Sequence, residues 1–260
     1  MKVCIYGAGA IGGWIGAHLA QHGCSLSAVA RGATLEALQQ NGLVLLQGGQ
    51  EIHASLVARE NPADLGVQDL VIVAVKAPAM ADVARRIGPL IGPNTVVLTA
   101  MNGVPWWFLQ GFGGALAGTH LDSVDPGGVI AQHIPAPHIV GGVVHASCSV
   151  DVPGVIRHHF GNGLIVGEPS GVDSPRVQAL AAADDFLRTT ETGTASIKSR
   201  RWLNDPASIR QIELLARAGH KAEGHDFGLS KYAANCHLNF LWNRAAIQRS
   251  VLGAVAQVAA

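Results

Sequence analysis

Three groups of residues in this 260-residue chain have types and spacings that could do chemistry. The first is Gly7-Ala8-Gly9-Ala10-Ile11-Gly12, a G-x-G-x-x-G string directly after the apolar run Lys2-Val3-Cys4-Ile5-Tyr6. Between a first strand and a first helix, such a string suits the pyrophosphate of a nicotinamide or flavin dinucleotide. The first glycine permits a tight turn, the second lets backbone approach the phosphates, and the third lets the helix pack on the strand. The helix N-terminus adds free N–H groups and the positive end of its dipole. Glycine is plentiful here, at 32 of 260 residues, so position separates the string from an ordinary glycine-rich turn.

The second group is the end of the next apolar stretch, Ser25-Leu26-Ser27-Ala28-Val29-Ala30, followed by Arg31. An acid about 20 residues past the fingerprint would bond a ribose 2′-hydroxyl. No acid stands there, and Arg31 does. A guanidinium matches a 2′-phosphate through paired, charge-assisted bonds. At roughly 1.5–3 kcal/mol each, such bonds would favour NADP over NAD by about ten- to a hundredfold. The bland alternative is a surface arginine at a strand end. The third group is Lys231, Asn235 and Asn239, at i, i+4 and i+8. On a helix these fall on one face, as a polar stripe. One ammonium and two amides suit a small oxo-acid: the amides orient its oxygens and the ammonium protonates a developing alkoxide. A plain solvated helix face is the alternative.

The elements that must hold these residues alternate in type. An amphipathic stretch, Thr34 to Gln40, follows Arg31, then two β-like runs, Leu43–Leu46 and His53–Val57. Asp69–Lys76 reads as a buried parallel strand, since it is nearly continuous and β-branched. Ala77–Ile91 is its helix and Thr95–Ala100 the next strand, ending in Met101-Asn102-Gly103. This β-α-β-α order implies a doubly wound parallel sheet. Ligands sit beyond the carboxyl ends of such strands, where Gly7–Gly12, Arg31, Lys76 and Asn102 all fall. Ile139–Ser149 and Gly154–His159, joined by Pro153-Gly154, read as an antiparallel extension. Gly161-Asn162-Gly163 reads as a turn before Leu164–Gly167. Glu168-Pro169-Ser170-Gly171 marks a domain boundary, and after Ser174 the spacing is helical apart from a loop or insertion at 189–205. The expected fold is therefore α/β. A Rossmann-type doubly wound domain covers 1–172, and a short all-helical domain covers 173–260.

Composition narrows the function classes. Apolar residues make up 48% and charged residues 14%, which suits a globular chain rather than a disordered one. Zero net charge argues against a nucleic-acid partner. No run of about 18 apolar residues suggests a membrane span, and the opening apolar run reads as a strand rather than a leader. Cys4, Cys24, Cys148 and Cys236 lack C-x-x-C spacing, so they read as free thiols in a reducing cytoplasm. His145, His158 and His159 make a weak metal candidate without a well-spaced third ligand, so no metal is expected. Trp106-Trp107 either wall a pocket or anchor their loop. Asp125-Pro126-Gly127-Gly128 reads as a turn.

These motifs together resemble the ketopantoate reductase (2-dehydropantoate 2-reductase) family. The resemblance rests on Gly7–Gly13, Arg31, Val75-Lys76 and Met101-Asn102-Gly103-Val104-Pro105-Trp106-Trp107. It extends to His145, Pro153-Gly154, His158 and Gly167-Glu168-Pro169. The stretch Lys231-Tyr232-Ala233-Ala234-Asn235-Cys236-His237-Leu238-Asn239 is similar to the family's K-x-x-x-N-x-x-x-N signature. It implies NADPH-dependent reduction of ketopantoate to pantoate, a step of pantothenate biosynthesis, in the cytoplasm. By the same resemblance Lys231 is the acid, Asn102 and Asn239 position cofactor amide or substrate, Asn235 supports the substrate, and Lys76 lines the cleft near the cofactor. Another small 2-oxo acid on the same scaffold, or a shortened NADP-binding member with little activity, are the alternatives.

The chain departs from the family in two places. Gly224–Ser230 lacks the aromatic and acidic lead-in to the lysine. The sequence ends at Ala260, ahead of the family's substrate-contacting Ser and catalytic Glu, so no residue takes those roles. A helical domain this short is expected to be marginal unless it dimerises. Phe240, Leu241, Trp242 and Val251 offer either a homodimer contact or a poorly packed remnant.

Overall fold

A computed structural model describes residues 1–110, 118–172, 174–180 and 212–213. Internal contacts divide the chain into two compact units, Met1–Thr190 and Glu191–Ala260. Lys231, Asn235 and Asn239, with the rest of the expected helical domain beyond 180 apart from 212–213, lie outside the described residues.

Strand β1 (Lys2–Tyr6) feeds helix α1 (Ala10–Gln21), which leads to β2 (Ser25–Val29) and α2 (Gly32–Asn41). Next come β3 (Leu43–Gln47), β4 (Gln50–Ala54), β5 (Val57–Arg59) and β6 (Leu70–Val73). Helix α3 (Met80–Ile87) is flanked by 3-10 turns at Ala77–Ala79 and Gly88–Leu90, each with a proline near its start, and leads to β7 (Val96–Ala100). A short α4 (Val129–His133) precedes the long strands β8 (Ile139–Val152) and β9 (Val155–Gly167).

Among the described residues nine strands form one sheet in the order β4-β3-β9-β8-β7-β6-β1-β2-β5. From β5 through β8 every neighbouring pair is parallel. Strand β1 lies between β2 and β6, so the winding direction reverses there and opens a crevice at the strand ends. Strand β6 has both faces buried: Leu70 and Ile72 join one core cluster, Val71 and Val73 the other. That accounts for its uninterrupted apolar sequence. The first cluster gathers α1 and α2 against Ile5, Leu26 and Ile156, and the second gathers α3 and α4 against Val73, Val97 and Ile139.

The expected antiparallel extension is present as the hairpin of β8 and β9, and a second hairpin, of β3 and β4, joins it. Strands β8 and β9 pair antiparallel and turn at Pro153-Gly154, with Gly154 at φ +81°. Strands β3 and β4 pair antiparallel around Gly48 and Gly49, both at positive φ, and β3 then pairs in parallel with β9.

Local readings of the sequence need correction at three points. His53–Val57 is not one strand: β4 ends at Ala54 on one sheet edge and β5 begins at Val57 on the other. Gly161-Asn162-Gly163 is not a turn but an irregular stretch inside β9, opposite register shifts after His145 and Ser147. Gly161 sits at φ +78°, and a Cβ there would overlap the His145 carbonyl oxygen. Asp125 does more than open a turn. It is 1% exposed, and its carboxylate accepts from the N–H groups of Ile130 (2.8 Å) and Ala131 (3.0 Å), capping α4 from outside the helix.

Candidate dinucleotide cleft and its neighbouring pocket

The three glycines of the fingerprint do three different jobs. Gly7 turns the chain out of β1 at φ +99°, and a Cβ there would come within 2.6 Å of Val75 Cγ1. At Gly12 a Cβ would overlap the Gly7 carbonyl oxygen and approach Ile5 Cγ2 at 2.8 Å. Gly9 has nothing within 4 Å of the same position. Gly7 and Gly12 are therefore required by packing, whereas Gly9 leaves open space above the loop.

That space lies over the start of α1. Gly9 is the N-cap, offers no side chain to the helix, and no acid stands in the first turn. The protein thus spends neither a capping oxygen nor a carboxylate on the leading N–H groups, the condition in which a helix N-terminus best receives an anion. Ala8 is buried, while Ala10 and Ile11 are partly exposed. Gly13 continues the small face: a Cβ there would come within 2.5 Å of Ile156 Cγ1. This seats α1 closely on β9.

A cavity of about 330 Å³ opens beside the loop, lined by Tyr6, Gly7–Gly9, Ala30, Arg31, Val75, Asp82 and Arg86, among others. Arg31 is the N-cap of α2 with extended backbone, and its guanidinium lies 3.6 Å from the Asp82 carboxylate. Arg86 donates to the Glu60 carbonyl oxygen at 2.9 Å. Tyr6 is 5% exposed, and its hydroxyl is buried without a hydrogen-bond partner. Burial raises its pKa above the ordinary value, so the phenol keeps its proton and remains a donor. Sequence reasoning found Arg31 but missed Asp82, Arg86 and Tyr6. The two α3 residues sit four apart on an ordinary amphipathic helix, a pattern carrying no signal of a site.

Lys76 is exposed just past β6, at the N-cap of the Ala77–Ala79 turn. Asn102 follows β7 and reaches β8. Its Nδ2 donates to the Val144 carbonyl oxygen at 3.0 Å, and its Oδ1 accepts from the Val144 N–H at 2.8 Å. The side chain thereby copies a strand partner and fixes β7 to β8 beyond their last backbone pair. One N–H and one lone pair of the amide remain for other partners. Asn102 also lines a second cavity of about 350 Å³ with Pro78, Met80, Met101, Val104 and Trp106. Trp106 is buried and lines this cavity, whereas Trp107 packs its ring onto β8, where a Cβ at Gly141 would overlap it. The tryptophan pair thus divides between pocket wall and anchor.

The histidines belong to a separate cluster. His158 stacks on Trp14, with ring centroids 6.0 Å apart, and its Nε2–H donates to the Gly161 carbonyl oxygen. His18 meets Trp14 edge-on and bonds Gln47 at 3.0 Å. Among the described residues no group of three or more His, Cys, Asp or Glu could hold a metal ion. Cys4 and Cys148 are free thiols whose pKa values burial pushes up to about 11 and about 12, so neither supplies a thiolate near neutrality. No helix among the described residues is long and apolar enough to cross a membrane.

Residues 3–106 match the family model described as ketopantoate reductase PanE/ApbA. Residues 168–255 match a second model, the C-terminal domain of the mitochondrial helicase Irc3. A curated 2-dehydropantoate 2-reductase of Mesorhizobium japonicum is 50% identical over 182 residues, covering 70% of this chain and 56% of that protein. A crystal structure from Ralstonia solanacearum MolK2, assigned as a ketopantoate reductase, superposes with TM-score 0.68 at 52% identity, over 70% of this chain and 57% of that one. The 2-dehydropantoate 2-reductase of Geobacter metallireducens GS-15 superposes with TM-score 0.58 at 27% identity, over 71% of this chain and 55% of that one. The chain thus spans little more than half the length of these relatives.

Proposed function

We propose that this chain, whose residues 3–106 match the ketopantoate reductase PanE/ApbA family model, binds NADPH in the cleft beside Gly7–Gly12 and reduces ketopantoate to pantoate. The observation that carries this reading is the division of labour in the glycine loop. Gly7 and Gly12 are closed by packing, while Gly9 faces open space over an uncapped helix start. The residues fit the cofactor: backbone N–H groups for the pyrophosphate, and Arg31 in the same cavity for a 2′-phosphate.

Bound NADPH supplies the hydride. The chain's own residues bind, orient and protonate. The α1 start and Arg31 fix the phosphates, and Lys76 lines the adjoining edge. The spare donor and acceptor of Asn102 orient the cofactor amide or the substrate. Asn235 and Asn239 hold the oxo-acid's oxygens and Lys231 gives its proton to the carbonyl oxygen as that oxygen becomes a hydroxyl. Reduction of this substrate serves pantothenate biosynthesis in the cytoplasm, and a homodimer through the helical domain would cover its apolar side chains.

The test pairs an NADPH fluorescence titration with NADPH oxidation on ketopantoate and a panel of small 2-oxo acids. Saturable binding, turnover fastest on ketopantoate, and loss of turnover in Lys231→Ala with binding intact are expected. Turnover unchanged in Lys231→Ala would remove that residue from the mechanism. Binding without turnover on any substrate would overturn the reductase reading and leave the cofactor site.

A further inference from the structure

The acid that the sequence lacks at the end of β2 is supplied in space by α3, and we propose that Asp82 is a specificity-determining residue that holds down the preference of this cleft for a 2′-phosphate. This rests on the reading of the cleft as a dinucleotide site. Asp82 lines the same cavity as Gly7–Gly9 and Arg31, and its carboxylate lies 3.6 Å from the Arg31 guanidinium. Both side chains are more than half exposed, at 64% and 52%, so the pair is solvent-screened and easily exchanged.

That geometry sets Asp82 two tasks. A phosphate monoester on Arg31 must displace the carboxylate and then sit close to its negative charge. A ribose 2′-hydroxyl in the same place donates to that carboxylate without repulsion. Arg31 and Asp82 therefore pull in opposite directions, and the cleft accepts both ester and hydroxyl forms with a modest preference. Arg86, one helical turn beyond Asp82, lines the same cavity and is anchored by its bond to Glu60. The Tyr6 hydroxyl, buried and unpartnered at the cavity wall, feels Arg86, Asp82 and Arg31 together. All three charged side chains line this one cavity.

The experiment is calorimetric binding of adenosine 2′,5′-bisphosphate and of 5′-AMP to the full chain, in wild type, Asp82→Asn, Asp82→Ser and Arg31→Ala. Asp82→Asn is expected to raise affinity for the bisphosphate by about two- to fivefold and to leave or weaken 5′-AMP binding. The gain should shrink as salt rises, because the charges are exposed. Asp82→Ser should move the ratio in the same direction, which guards against a misfolded single variant. Arg31→Ala should move it the opposite way. An unchanged ratio in both Asp82 variants, with Arg31→Ala still lowering it, would overturn the role of Asp82 and leave the cleft reading standing. Wild-type protein that binds neither ligand would overturn both.

Discussion

The glycine loop at 7–12 and the Asn102–Val144 lock stand at the ends of strands in the same sheet, yet they are built on opposite plans. The loop is almost all backbone. Its geometry comes from missing side chains, with the room for Cβ withdrawn at Gly12 and left open at Gly9. The lock is a side chain that imitates backbone, pairing one amide with both polar groups of Val144. A backbone site can approach a ligand's phosphates closely and carries no charge to desolvate. A side-chain lock ties together residues distant in sequence and keeps part of its polar capacity in reserve.

Substitution at Gly12 should break this contrast most severely. Gly12→Val places atoms against the Gly7 carbonyl oxygen and Ile5, neither of which can yield without moving β1, and should cost about 3 kcal/mol or more. Chemical denaturation should report it as a lowered midpoint or as loss of soluble folded protein. Gly9→Ala is the sharpening partner. Its Cβ meets nothing, so stability should stay within about 0.5 kcal/mol while NADPH affinity falls. Equal stability losses in the two variants would erase the distinction between packing and ligand-facing glycines.

A smaller effect is expected at the lock. Asn102→Ala strands the N–H and C=O of Val144 at the site where β8 leaves the shelter of β7, and should cost about 1–3 kcal/mol. Hydrogen exchange at Val144 should accelerate by more than at β1 amides. Uniform acceleration across the sheet would mean that Asn102 acts on global stability rather than on this joint.

The smallest effect concerns pH. Burial holds the His18 ring below its ordinary pKa, against the opposing hydrogen bond from Gln47. The unfolded chain therefore binds a proton more readily than the folded one, so stability rises with pH across this range. It is full above about 6.5 and declines as the pH falls through the unfolded value toward the lower folded one. Denaturation midpoints measured on either side of about pH 6.5 should differ less in His18→Gln than in wild type.

Much of the parallel half could be read from sequence because its signals are local. The first strand, the glycine string, the first helix and the second strand follow one another within a single β-α-β unit, and β6 declares itself by its apolar run. The hairpin half was less legible. Ser55 and Leu56 separate strands bound for opposite edges of the sheet, a divergence that no local pattern encodes. Gly161-Asn162-Gly163 has turn chemistry, but the facing register shifts at His145 and Ser147 absorb it within a strand. In the cleft, Arg31 was visible because it ends a strand after a motif. Asp82 and Arg86 enter it only because α3 packs in one core cluster with Tyr6 and Val29, the last residues of β1 and β2. Tyr6 reads in sequence as one more position of an apolar strand. Asn102 could be picked out as a strand-end amide, while its partner Val144 depends on β8 lying beside β7.

The parallel pairing of β3 with β9 has a consequence for how the chain must be made. Val44 finds Val155 across most of the first unit, so the β3–β4 hairpin leaves the ribosome long before its partner exists. Until β9 arrives, β3 presents an open edge with Leu43 and Leu45 uncovered, the condition in which strands recruit the wrong neighbour. Docking of α1 depends on the same late event, since Gly13 is shaped to lie against Ile156. Nascent chains halted before residue 155 should therefore hold the β1-α1-β2 unit loosely and bind chaperones, and chains released beyond residue 167 should not.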